Sequence, residues 1–106
     1  MIKTIDKLIS HIVYVCRPEK IILFGSYAYG TPNKFSDIDL LVIKNISENE
    51  TRDFRIKLKK ALWINLGKYN YSFDILVDNE QRIQKRIEMG DLFYKEIYSK
   101  GKTIYA

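Results

Sequence analysis

Cysteine occurs once, at Cys16, in a chain of 106 residues, so neither an intramolecular disulfide framework nor a multi-cysteine zinc site can be built. A reduced, cytoplasmic setting is the expectation. Glycine and proline are sparse, at five and two, while 46% of the residues are hydrophobic and 29% charged, which excludes collagen-like and disordered chains. No apolar run approaches the roughly 18 to 20 residues of a bilayer span, and the first residues lack a basic leader before an apolar stretch. Neither insertion nor export is expected. The length suits one domain, residues 1–106, and leaves no room for a second, substrate-binding one.

Histidine also occurs once, at His11, off the apolar stripe of the first helical segment, so no Ser-His-Asp triad can be argued. There is no G-x-x-x-x-G-K-[ST], no G-x-G-x-x-G and no EF-hand loop, which removes the usual P-loop, dinucleotide and calcium readings. A net charge of +5 favours contact with nucleotides, nucleic acid or an acidic surface. Most of the excess lies around Lys57 to Lys60 and Arg82 to Arg86, read as solvated helix faces. With no recognisable nucleic-acid module, direct binding to nucleic acid is not expected.

What is present alternates between helical and strand periods. Ile5, Leu8, Ile9, Ile12, Val13 and Cys16 follow helical spacing, and Pro18 ends that helix near Arg17 because it lacks an amide donor and restricts its predecessor. Cys16 is thus a core thiol. Lys20 to Phe24 is a short β-branched and aromatic strand stopped by Gly25-Ser26, after which Ser26 to Gly30 suits one helical turn capped by Ser26. Asp37 to Ile43 predicts a second strand, with Asp37 and Asp39 on one face and Ile38, Leu40 and Val42 on the other. Ser47-Glu-Asn-Glu50 fits a capping box, and Phe54, Leu58, Ala61 and Leu62 line the helix it opens, with Gly67 as its stop. Tyr71 to Val77 is a third strand, with Asp74 placed in an apolar run; two short helices broken at Gly90 and an edge strand, Lys102 to Tyr105, complete the chain.

Asp37, Asp39 and Asp74 converge if their strands are neighbours. Two unit charges about 4 Å apart repel by roughly 4 kcal/mol at an effective dielectric of 20, so such a trio calls for a cation or for protonation. Oxygen ligands without His or Cys suit Mg²⁺ or Mn²⁺, which take remaining ligands from water and substrate phosphates. Gly25 permits close backbone approach to a phosphate and Ser26 adds a hydroxyl. The acids also stand before their apolar strand, whereas in the phosphatase and glycosyltransferase types of D-x-D they follow it.

The order strand, Gly25-Ser26, ten residues, Asp37-x-Asp39, apolar strand, then Asp74 within an apolar strand resembles the nucleotidyltransferase superfamily with the DNA polymerase beta-like fold. It looks most like the minimal nucleotidyltransferases that serve as antitoxins in HEPN/MNT toxin-antitoxin pairs. The resemblance implies an α+β fold, a small mixed β-sheet packed against helices. It implies that Gly25 and Ser26 hold a nucleoside triphosphate, and that Asp37 and Asp39 bind two Mg²⁺ ions, with Asp74 completing the catalytic metal's shell. It further implies transfer of AMP from ATP to a hydroxyl of a partner HEPN toxin, whose RNase activity is thereby silenced, with Asp74 assisting deprotonation of the acceptor. A non-catalytic antitoxin that inhibits its partner by occlusion is the alternative. The chain departs from the family's G-S-x-A-R-G run, reading Gly25-Ser-Tyr-Ala-Tyr29-Gly30, so a cation is missing at Tyr29, for which Lys34 is a substitute.

Overall fold

The computed structural model describes residues 2–33, 36–66 and 72–106. Lys34 as a substitute cation, Gly67 as a helix stop and Tyr71 as the first residue of the third strand lie outside the described residues. The order is α1 (Ile2–Cys16), β1 (Lys20–Phe24), α2 (Ser26–Tyr29), β2 (Ile38–Ile43), a 3₁₀ turn (Glu48–Glu50), α3 (Thr51–Leu66), β3 (Phe73–Asp78), α4 (Glu80–Glu88), α5 (Leu92–Lys100) and β4 (Lys102–Tyr105). This is the mixed α+β architecture expected.

The four strands form one sheet in the order β3-β2-β1-β4. β1 pairs antiparallel with β2 and β4, while β2 and β3 run parallel. Parallel neighbours need a crossover, and α3 supplies it. Because side chains alternate along a strand, Ile21, Leu23, Ile38, Leu40, Val42, Ile75 and Val77 share a core with Leu8 and Ile12 of α1 and Leu58, Leu62 and Leu66 of α3. The opposite parity, Ile22, Phe24, Leu41 and Ile43, packs with Ile83 of α4 and Ile97 of α5. Both faces of the sheet are therefore covered, and the near-continuous apolar run of β2 follows from that double burial.

Local details refine the expected boundaries. The residue before Pro18 cannot remain helical, and α1 ends as Arg17 turns to a positive φ of 45° while its amide still donates to the Val13 carbonyl at 3.0 Å. The reciprocal capping box does not form: Ser47 Oγ donates to Glu50 Oε1 at 2.8 Å, and the chain enters α3 through the 3₁₀ turn. Gly25, not Ser26, occupies the cap position of α2, with φ 74° and ψ −158° and no side-chain capping bond. Cys16 packs against the α1 core, and burial pushes its thiol up to about 11, as befits an inert residue.

Candidate active site

β2 and β3 begin at the same end of the sheet, and the antiparallel β1 ends there. The register sets Asp39 opposite Asp74 across the parallel pair, on strands about 4.8 Å apart. It also sets Phe24, the residue before Gly25, opposite Asp39 across the antiparallel pair. Asp37 stands one residue before β2, so the strand is shorter by one than expected. Ser72, one residue before β3, clamps it: its hydroxyl donates to Asp37 Oδ1, and its carbonyl accepts the Ile38 amide at 3.0 Å.

Asp39 and Asp74 share the strand parity that carries Leu41 and Leu76 toward α4 and α5, and both remain half-buried at the sheet end. The carboxyl of Asp39 is raised above its usual 3.8, first by burial and then by the charges of Asp74 and Asp37. Of the three acids predicted to converge, Asp39 is thus the one whose carboxyl responds to the other two. Gly25 presses its backbone onto the same carboxylate, since a Cβ built there would collide with Asp39 Oδ2. Only a residue without a side chain, tolerant of φ 74°, fits between β1 and the acid.

Two cations from α3 enter the site, and the sequence reading passed over both. Arg55 donates from Nε to the Ile75 carbonyl at 2.5 Å and from Nη2 to Asp74 Oδ1 at 3.3 Å. Lys59, one helical turn on, brings Nζ to 4.0 Å from the same oxygen. The charge run reads correctly as solvated at Lys57 and Lys60, which are exposed, and incorrectly at Lys59. The available signal was the i, i+4 spacing of two basic residues, each immediately following an inner-stripe residue, Phe54 or Leu58.

Among the described residues, no group of three or more His, Cys, Asp or Glu side chains is assembled to hold a metal ion. The physical reason is visible in the contacts: Asp74 is drawn to α3 and Asp37 to Ser72, so the carboxylates are adjacent without forming a closed cage. The donor chemistry nonetheless fits a small hard cation, which needs only one or two carboxylates when substrate phosphates and water supply the rest. The raised Asp39 reflects first its burial and then its acidic neighbours, both of which a bound cation would offset.

The far end of the sheet holds a concavity of about 580 Å³ lined by Glu19, Ser47, Glu48, Asn79 and Glu80. Its acids are engaged structurally: Glu19 accepts the Asn45 amide at 2.7 Å, Glu48 pairs with Arg82 at 3.2 Å and Glu80 with Lys20 at 3.7 Å. The predicted site residues lie at the opposite, Asp39 end of the sheet.

The family model for the nucleotidyltransferase domain matches residues 2–102, which spans every element that builds this site. The chain belongs to the nucleotidyltransferase domain family. This nucleotidyltransferase is 33% identical over 92 residues, 87% of its own length and 83% of the relative's, to a Methanocaldococcus jannaschii protein whose name assigns it protein adenylyltransferase activity by inference. Its fold is also that of a chain in a crystal structure of a toxin-antitoxin with AMP-PNP, at a TM-score of 0.50 and 20% identity, covering 94% of this chain and 72% of that one. The fold and the enzyme class expected from the Gly25-Ser26 and Asp37-x-Asp39 pattern both hold.

Proposed function

We propose that this nucleotidyltransferase moves AMP from ATP to a hydroxyl of a partner protein, and that the partner is a HEPN-type RNase toxin silenced by the modification in the cytoplasm. The observation that carries the reading is the register of Asp39 between Asp74 and the backbone of Gly25, which joins an acid cluster to a close-approach glycine at one sheet end. The adenylyltransferase name of the M. jannaschii relative and the toxin-antitoxin title of the structural neighbour support the direction of the proposal.

Asp37 and Asp39 would hold Mg²⁺, with Asp74 completing the shell of one of two ions. When bound, such ions polarise the phosphoryl oxygens and neutralise the charge that develops on the departing pyrophosphate. The chain's own contribution is positioning. Gly25 admits the triphosphate against the backbone, Ser26 offers it a hydroxyl, and the strand pair fixes Asp39 and Asp74 so that little reorganises during the reaction. The acceptor oxygen attacks the α-phosphorus, the bond from that phosphorus to the bridging oxygen of the β-phosphate breaks, pyrophosphate leaves, and the hydroxyl proton passes to Asp74. No covalent protein intermediate is required.

In this reading the acceptor protein itself supplies the wall opposite the nucleotide. Incubating the chain with its partner, ATP and Mg²⁺ and weighing the partner tests the proposal: an AMP-sized gain, absent with the double variant Asp37→Asn/Asp39→Asn, supports it, and no gain contradicts it. Tyr29 favours the occlusion reading, because α2 carries no charge where a triphosphate would lie. Inhibition of the partner that survives loss of all three acids would select occlusion.

A further inference from the structure

Of the three acids, Asp74 is held by cations of this chain. Arg55 is fixed at two points, the Ile75 carbonyl and Asp74 Oδ1, and is therefore locked to β3 rather than waving in solvent. Lys59 reaches the same Oδ1, and both side chains are little more than a third exposed. Residues four apart on a helix share a face, so α3 delivers two positive charges to one carboxylate oxygen from one direction. Asp39, opposite Asp74 in the register, is instead pushed up by its burial and its acidic neighbours.

We infer that Arg55 and Lys59 are a built-in counter-ion: in the free chain they occupy Asp74 Oδ1 and hold down the site's affinity for a bare divalent cation. A bare divalent ion nearing Asp74 meets two like charges, whereas a cation already carried on a triphosphate arrives with net negative charge, to which the same pair is attractive. The arrangement favours loading of the metal together with nucleotide over loading of metal alone. It also accounts for neighbouring acids that, among the described residues, do not close into a cage. The inference deepens the nucleotide-transfer reading and rests on it.

The test is Mn²⁺ binding to the full chain without nucleotide, read by electron paramagnetic resonance of the free ion, which requires no turnover. Exposed pairs contribute only modestly, so Lys59→Gln should tighten binding by about threefold and Arg55→Gln/Lys59→Gln by about tenfold. Arg55→Lys, which keeps the charge, should bind as the wild type does. Lys59→Gln leaves the Arg55 bond to the Ile75 carbonyl intact, so its gain is read on an undisturbed β3–α3 contact. Unchanged or weaker Mn²⁺ binding in both Gln-bearing variants overturns the inference. AMP transfer by the wild-type chain, lost in Asp39→Asn, is followed in parallel: transfer retained without any Mn²⁺ gain removes the counter-ion role alone and leaves the parent reading standing.

Discussion

A methyl group added at Gly25 would stand 3.1 Å from Asp39 Cγ and collide with its Oδ2, in a backbone conformation that L side chains rarely adopt. Gly25→Ala should therefore cost about 1 to 3 kcal/mol of stability, read by denaturant unfolding, and should abolish nucleotide transfer by displacing Asp39. A folded, active Gly25→Ala chain would refute the close approach. Asp39 carries the opposite kind of cost. Its carboxyl is raised by burial and by Asp74 and Asp37, so the stability it lends is present below the ordinary carboxylate value and lost as pH rises through the raised one. Without metal, Asp39→Asn should gain melting temperature over the wild type as pH climbs from the ordinary carboxylate value through the raised one, and hold that gain above it. A melting difference that ignores pH would mean the acids do not interact. These two residues were legible in the sequence because their chemistry is local: a glycine stopping a strand and a D-x-D starting one.

At the scale of elements, β3 carries a second aspartate that its sequence did not advertise. Asp78 is buried, with 1% of its surface exposed, and its Oδ1 accepts the Asn79 amide at 2.9 Å. Its Oδ2 accepts from Arg82 and from the Tyr94 hydroxyl, the latter at 2.5 Å. One carboxylate thereby ties β3 to α4 and α5, and burial together with its charge pushes the Tyr94 phenol upward. Asp78→Ala should cost about 2 kcal/mol by leaving the Tyr94 hydroxyl without its acceptor and Arg82 with Glu48 alone, measured by chemical denaturation. Asn79 caps α4 by accepting the Arg82 amide at 2.7 Å, and Asn79→Ala should cost about 1 kcal/mol. Neither residue touches the Asp39 end of the sheet, so both variants should keep the acid cluster's metal response. The roles of Asp78, Arg55 and Lys59 were hidden for one reason. Each depends on which helix crosses which strand, a tertiary fact, whereas periodicity reports only which face of an element is apolar. The capping box misled for a related reason: Ser47 and Glu50 are correctly spaced for each other but bond side chain to side chain above a 3₁₀ turn.

For the molecule as a whole, topology converts separate stretches of sequence into one site. The parallel pairing of β2 with β3 brings Asp74 beside Asp39 across 35 positions of chain, and the antiparallel β1 returns Gly25 to the same end. The far end is a structural lock built on Asp78, while the near end concentrates negative charge next to a glycine turn. In a protein of net charge +5, Asp39 and Asp74 stand side by side at this end, which under the proposed reading is where a cation and a polyphosphate would be received. The most direct measurement of this account is the mass of the partner protein after incubation with the chain, ATP and Mg²⁺. The account predicts an AMP-sized increase that disappears with Asp37→Asn/Asp39→Asn. An unmodified partner, or the same increase with the double variant, would contradict it.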